Sequence, residues 1–179
     1  LVALVAYAGT PWHLDVAAAR YQLANILRQR GELAGARVQV EQALDAATRS
    51  GGQRHPIVPV LVHELGVLAL VEEEPAKGVP YVEQALALWR ALHGGEHHPD
   101  YAAGLHTLGT LKRAMNDLPG ARAALTESLG LKNQIYGDVP HPDRAATLNN
   151  LGAVLLKLGE HEEARACFLS CLAMESALY

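Results

Sequence analysis

The chain is poor in aromatic residues and in cysteine. Its 179 residues include one Phe, two Trp, six Tyr and two Cys. So few aromatic side chains favour a core built by packing Leu and Ala on helices. We interpret Cys167 and Cys171, one helical turn apart, as small core or near-core residues rather than a metal half-site or a redox pair. Few cysteines and the absence of an Asn-x-Ser/Thr sequon indicate a reducing, cytoplasmic setting.

Long apolar runs and strong charge are absent as well. The apolar segment 1–8 is far shorter than the ~20 residues that span a bilayer, and it lacks the basic leader of a signal peptide. We therefore expect no membrane partner. The formal net charge is −4, which argues against nucleic-acid binding.

Motifs that would carry chemistry are also missing. The sequence has no phosphate-binding glycine loop and no Gly-x-Ser-x-Gly elbow. The run His63-Glu64-Leu65-Gly66-Val67 begins like a zinc-protease helix, but Val67 stands where the second His is required. His55, His98 and His141 recur at the same place in successive copies, which puts them too far apart to share one zinc ion. We expect no enzymatic activity, no catalytic residue, no metal and no cofactor.

What the sequence contains instead is an internal repeat. His98-Pro99-Asp100 opens twelve residues that return at His141-Pro142-Asp143, 43 residues later, with eight of the twelve positions identical. His55-Pro56 and His13 extend the period towards the amino terminus, and Gly9, Gly51, Gly94 and Gly137 each precede the matching histidine by four residues. A fixed period of this length is typical of stacked repeat proteins.

Within each copy the apolar residues are spaced by three and four, which predicts two helices rather than strands. The break between them reads Gly31-Glu32, Asn116-Asp117 and Gly159-Glu160, and Gly and Asn tolerate the left-handed conformation that ends a helix.

Copy two reads Glu73-Glu74-Pro75 and is expected to turn differently, and Pro80 predicts a late start or an irregular first turn for its second helix. The expected helices span 14–30 and 33–50, 56–72 and 76–93, 99–115 and 118–136, and 142–158 and 161–178.

Two columns of small residues predict where the paired helices cross closely, because bulky side chains would push the helix axes apart. The Pro and Asp that follow His98 and His141 suit the first turn of a helix. Copy one lacks the Pro, reading His13-Leu14-Asp15, and copy two lacks the Asp, reading His55-Pro56-Ile57. We therefore interpret His-Pro-Asp as a helix start, with the histidine capping or packing the turn between repeats. The small columns read Ala24, Gly66, Gly109 and Gly152, and Ala36, Gly78, Ala121 and Ala164.

These helix-turn-helix units resemble tetratricopeptide repeats, although they exceed the usual ~34 residues. The long period, His-Pro-Asp and Leu148-Asn149-Asn150-Leu151-Gly152 are similar to the kinesin-light-chain type of array. The resemblance implies an all-α fold, a right-handed α-α superhelix or solenoid of about four repeats with a period of 42–43 residues. It does not imply motor transport.

The resemblance also implies that the first helix of each repeat lines a concave groove. Amides can donate to and accept from a peptide main chain at once, so Asn149 and Asn150 suit an extended peptide. Tyr21 stands where relatives that grip a terminal carboxylate carry Lys, which disfavours that mode. The alternative is a solvated groove with no ligand. The candidate peptide-binding residues are Tyr21, Asn25, Arg28, His63, His106, Thr110, Arg113, Asn149, Asn150 and Lys157.

The sequence thus predicts one tetratricopeptide repeat domain over 1–179, which we interpret as a fragment of a longer protein. Residues 1–9 would end a preceding repeat, and four repeats would span 10–51, 52–94, 95–137 and 138–179. The leading hypothesis is a non-catalytic module that binds a peptide or a partner helix. The alternatives are a structural spacer or self-association array and a sensory lobe of a larger signalling protein. Uncovered end faces predict end-to-end homo-oligomers.

Overall fold

A computed structural model describes residues 14–52 and 55–178, and this part of the chain is built from helices without strands. The expected end of a preceding repeat at 1–9, together with His13, lies outside the described residues. Every helix bound lies within one residue of its predicted position. The helices are α1 Leu14–Gln29, α2 Leu33–Gly51, α3 Ile57–Val71, α4 Pro75–His93, α5 Pro99–Ala114, α6 Leu118–Tyr136, α7 Pro142–Leu158 and α8 His161–Leu178.

The chain divides into two compact units, with the boundary between Leu88 and Trp89 inside α4. In the first unit α1 packs against α2, α2 packs against α3, and α1 also touches α3. In the second unit α5 packs against α6, α6 against α7 and α7 against α8, and α5 also touches α7. Within each unit, therefore, the first helices of neighbouring repeats lie beside each other. The predicted all-α fold of consecutive helix pairs is confirmed.

The small columns mark close helix crossings, as predicted. A Cβ atom added to Gly109 would lie 2.6 Å from Leu125 Cγ, and one added to Gly66 would lie 2.5 Å from Val82 Cγ2. At Gly152 the added atom would lie 2.9 Å from Phe168 Cε1. Each contact joins the first helix of a repeat to its own second helix, so the glycine column sets the spacing within the pair.

The break between paired helices has the same geometry in all four copies. Gly31, Asn116 and Gly159 have φ values of 78°, 62° and 81°, and Glu73 joins them at 61°. The next residue donates its N–H to a carbonyl five residues earlier, as Glu74 does to Ala69 at 2.8 Å. The expectation of a different turn in copy two is therefore wrong, because Glu73 adopts the left-handed conformation of Gly31, Asn116 and Gly159 and the same hydrogen bond closes the turn.

The second helix of copy two begins at Pro75 and continues through Pro80. The expected late start is wrong, since Pro75 itself occupies the first turn, where a missing N–H costs nothing. The alternative expectation, an irregular first turn, is confirmed: the Lys77 N–H donates to the Glu74 carbonyl three residues earlier at 2.9 Å, as in a 3₁₀ turn.

The recurrent histidines start helices, as predicted. His98 Nδ1 accepts a hydrogen bond from the Asp100 N–H at 3.3 Å, and His141 Nδ1 accepts one from the Asp143 N–H at 3.2 Å. The two rings are stacked on the side chain five residues earlier, His98 on His93 and His141 on Tyr136, with ring centroids 3.5 and 3.7 Å apart. Each stack joins the end of one helix pair to the start of the next.

Candidate functional site

In the second unit the candidate groove residues lie on the adjacent first helices α5 and α7. His106, Thr110 and Arg113 lie on α5 and are half-buried. On α7, Asn150 is half-buried, whereas Asn149 and Lys157 are exposed. The predicted row is therefore a partly accessible polar surface, which is the burial expected of side chains that could meet a ligand.

His106 and Asn150 connect the two helices directly. Asn150 Nδ2 lies 3.2 Å from His106 Nε2, so the amide of one repeat is tied to the imidazole of the preceding repeat. Thr110 is engaged differently, because its hydroxyl donates to the His106 carbonyl on its own helix at 3.0 Å. Of the amide pair, Asn149 is exposed and Asn150 is half-buried, so the two neighbouring amides differ in accessibility.

Two residues that sequence reasoning missed lie behind this contact. Lys132 on α6 is only 3% exposed and donates to Thr147 Oγ1 at 2.8 Å and to the Asp143 carbonyl at 3.1 Å. Thr147 on α7 is fully buried, and its Oγ1 lies 3.1 Å from His106 Nδ1. A continuous polar chain thus runs from the buried α6–α7 interface to the half-buried amide of Asn150.

Lys132 is an ammonium group in a buried interface. Burial lowers its pKa from the usual 10.5 to about 8, and the nearby Asp143 carboxylate opposes that shift. The signal was present in the sequence: the aligned column reads Ala47, Trp89, Lys132 and Glu175, and its first two members are buried. A lysine in a column that is otherwise apolar in the interior of the array would have identified this position.

In the first unit, Tyr21, Asn25, Arg28 and His63 are half-buried on α1 and α3. Arg28 is committed to an ion pair, with its Nε 2.7 Å from the Oε1 of Glu64 on α3. Burial raises the pKa of Glu64, and Arg28 opposes that rise by pairing with the carboxylate. The sequence analysis placed Arg28 among the candidate peptide-binding residues, and the structure pairs it with a carboxylate of the next repeat.

One group of potential metal ligands lies together among the residues that the structure describes. Ligand atoms of His93, His98 and Asp100 all fall within 4.8 Å of one another. The helix cap and the ring stack already account for this geometry, and the same arrangement recurs around His141 with Tyr136 in place of His93. Two rings stacked at 3.5 Å also point their lone pairs along parallel planes, so they cannot converge on one ion.

The two cysteines are free thiols, and burial raises the pKa of both. The Cys171 thiol donates to the Ala145 carbonyl at 3.3 Å. Ser128, one repeat earlier, makes the equivalent bond to the Ala102 carbonyl at 2.7 Å. The near-core packing of Cys171 is thus explained by the small column that it shares with Ser128.

Family models of the tetratricopeptide repeat match residues 58–134 and, separately, residues 16–57 and 144–178. The chain belongs to the tetratricopeptide repeat family. Proteins of this family are generally non-catalytic scaffolds that mediate protein–protein interaction. No curated protein sequence matches the chain.

Solved structures share the fold at low sequence identity. BtubC (BKLC) from P. vanneervenii is 22% identical, with a TM-score of 0.82 over 93% of this chain and 66% of that chain. A putative kinesin light chain with nearly identical repeats, from Podosopora anserina, is 22% identical, with a TM-score of 0.74 over 98% and 82%. MamA from Desulfovibrio magneticus RS-1 is 15% identical, with a TM-score of 0.65 over 90% and 76%. The long-repeat resemblance is therefore confirmed at the level of fold.

Within 14–52 and 55–178, none of the helices combines the length and the apolar character needed to cross a membrane.

Proposed function

We propose that the chain is a non-catalytic interaction module that binds an extended peptide or a partner helix along its first-helix faces. The observation that carries this proposal is the His106–Asn150 contact, which fixes polar groups of two adjacent first helices at a partly accessible surface. We place the module in the cytoplasm because both of its cysteines are free thiols.

The binding would be driven by preorganisation. A main chain in extended form needs donors and acceptors at regular spacing, and an amide supplies both. Because His106 and Asn150 are already held by neighbouring side chains, less conformational entropy is lost when a peptide docks. The positive charges of Arg113 and Lys157 would raise the association rate of a peptide of opposite charge more than its affinity.

A peptide-display selection against the chain tests the proposal. The groove variant carries His106→Ala, Asn149→Ala and Asn150→Ala, and the matched control carries Thr126→Ala, Glu162→Ala and Glu163→Ala at exposed positions of the second helices. We expect enriched peptides to bind the parent and the control and to lose binding at the groove variant. Equal binding to all three proteins, or no enrichment, would refute peptide binding at this surface.

The first unit is tested separately with Tyr21→Ala, Asn25→Ala and His63→Ala. If its face also binds peptide, these changes lower the affinity of a peptide that the second-unit variant still binds. Circular dichroism must show that each variant remains helical.

A second candidate function is self-association through α8. Leu169 and Leu172 on this helix are 52% and 63% exposed, whereas Leu129, the equivalent of Leu172 in the preceding repeat, is half-buried. Exposed large apolar side chains favour association. Sedimentation equilibrium should show a concentration-dependent dimer that Leu172→Glu abolishes; a monomer at high concentration would remove this candidate.

A further inference from the structure

The Thr147 hydroxyl is a branch point in the buried polar chain. Its oxygen lies 2.8 Å from the Asp143 carbonyl, 2.8 Å from Lys132 Nζ and 3.1 Å from His106 Nδ1. A hydroxyl has one hydrogen to give and two lone pairs to receive. The chemistry of the three neighbours therefore decides where that single hydrogen goes.

The hydrogen goes to the Asp143 carbonyl. A carbonyl oxygen accepts but never donates, so an O···O separation of 2.8 Å without a hydrogen between the atoms would oppose two sets of lone pairs. An ammonium group only donates, so Lys132 occupies one lone pair of Thr147. The remaining lone pair faces His106 Nδ1, and this nitrogen must then carry the hydrogen that it donates to Thr147.

The hydrogen on Nδ1 of His106 also determines the orientation of the Asn150 amide at the surface. A neutral imidazole protonated at Nδ1 has a bare Nε2, which can only accept. Nε2 faces Asn150 at 3.2 Å, so it takes a hydrogen from the Asn150 NH₂ group, and the amide oxygen is turned away from His106. If His106 instead carried its hydrogen on Nε2, the amide would be reversed and would turn its NH₂ group outward.

We propose that Thr147, anchored by Lys132, is a positioning residue that makes Asn150 present its carbonyl oxygen, and thus accept an N–H group, at the second-unit surface. The matching ligand group is a main-chain N–H of a bound peptide. The inference about the ligand rests on the proposed peptide binding, whereas the inference about His106 and Asn150 holds in the free protein.

Substitutions of Thr147 can test the proposal because this side chain is fully buried and no peptide can touch it. The first measurement is the His106 tautomer at near-neutral pH, from long-range proton–nitrogen correlation spectra, with the His106 signals identified by their loss in His106→Gln. We expect hydrogen on Nδ1 and a bare Nε2 in the parent and in Thr147→Ser, which keeps the hydroxyl. Thr147→Val keeps the shape of the side chain without the hydroxyl. In this variant His106 should no longer favour the tautomer with hydrogen on Nδ1.

Hydrogen on Nε2 of His106 in the parent would overturn the proposal, and this outcome needs no variant to fold. An unchanged tautomer in folded Thr147→Val would also overturn it. Thr147→Ser serves as the rescue, because loss of packing alone would affect the serine variant, whose hydroxyl is retained while its methyl group is removed.

The second measurement uses the tightest peptide from the display selection, synthesised with one backbone N–H at a time replaced by N-methyl. We expect one position to lose affinity about tenfold against the parent, the value of one hydrogen bond. The same position should lose little further affinity against Asn150→Ala or Thr147→Val.

The two arms separate the two proposals. A failed selection with the expected tautomer refutes peptide binding and leaves the positioning of Asn150 standing. Successful peptides whose N-methyl effects are the same in the parent and in Asn150→Ala overturn the assignment of a ligand N–H to this residue.

Discussion

Arg28 and Glu64 form an ion pair between the first helices of two successive repeats, with Nε and Oε1 2.7 Å apart. The Glu64 side chain is 7% exposed and the Arg28 side chain 30%. Breaking such a pair lowers the free energy of unfolding by more than the intact pair raises it, because removal of one partner leaves an uncompensated charge in the interior.

Arg28→Ala should lower the free energy of unfolding by about 2 kcal/mol, less than the ~3–5 kcal/mol of a fully buried pair because Arg28 is partly exposed. Urea unfolding measures the change. The control is Arg30→Ala, whose exposed partner Glu32 lies 2.9 Å away and which should change stability by less than about 0.5 kcal/mol. Adding Glu64→Leu to Arg28→Ala should recover much of the loss. Equal effects of the two arginines would show that the pair is unimportant.

Lys132 should make stability increase with pH. Its pKa is about 8 in the folded chain and 10.5 in the unfolded chain, so between these values the unfolded chain binds more protons. The stability that this group contributes is fully present above pH 10.5 and is lost as the pH falls through 8. Between these limits the free energy of unfolding rises by at most about 3 kcal/mol.

The measurement is urea unfolding of the parent and of Lys132→Met from pH 7 to about pH 10. Burial raises the pKa of Tyr101 and Tyr136, which opposes the rise above pH 10 but does so in both proteins. The difference between parent and variant therefore isolates Lys132. Parallel stability curves would contradict the lowered pKa.

Glu73→Gly should stabilise the first unit. Glu73 has a φ of 61°, a left-handed conformation that costs a residue with a Cβ roughly 1 kcal/mol and that glycine adopts freely. We expect a gain of about 0.5–1 kcal/mol in thermal or urea unfolding. The reverse change at the equivalent turn, Gly159→Glu, should cost a similar amount, and a loss of stability in Glu73→Gly would refute the strain.

Gly109→Ala should destabilise the second unit by about 1–3 kcal/mol, because the added Cβ would lie 2.6 Å from Leu125 Cγ and 3.2 Å from the Ala121 carbonyl. The matched control is Gly130→Ala, which is in a helix with nothing within 4 Å of the added atom. Helix propensity alone should make that control about 0.5–1 kcal/mol more stable. Stabilisation by both changes would show that the crossing can open without cost.

The sequence predicted the helices well because their limits depend on local chemistry. His98 and His141 cap helices, and Gly31 and Gly159 end them, with bonds to residues close in the chain. The turn at Glu73 was mispredicted because no local preference favours glutamate at positive φ. Lys132 and Thr147 were missed because the contacts that join Lys132 to α7 and Thr147 to His106 span 11–41 residues, between helices whose rotation about their axes the spacing does not give.

The ring stacks between repeats mark a junction at which whole repeats could be joined. The capping ring of His141 belongs to one repeat and the stacking ring of Tyr136 belongs to the repeat before it, five residues earlier, as with His98 and His93. The 43-residue block 98–140 thus begins with its own cap and ends with its own stacking partner. A tandem duplication of this block would reproduce an existing joint at the new boundary, because Tyr136 would meet a second copy of His98 at the same spacing. Recombination at the histidine would therefore lengthen such an array by whole repeats in a single genetic event, whereas recombination between Gly109 and Leu125 would separate two side chains that pack against each other.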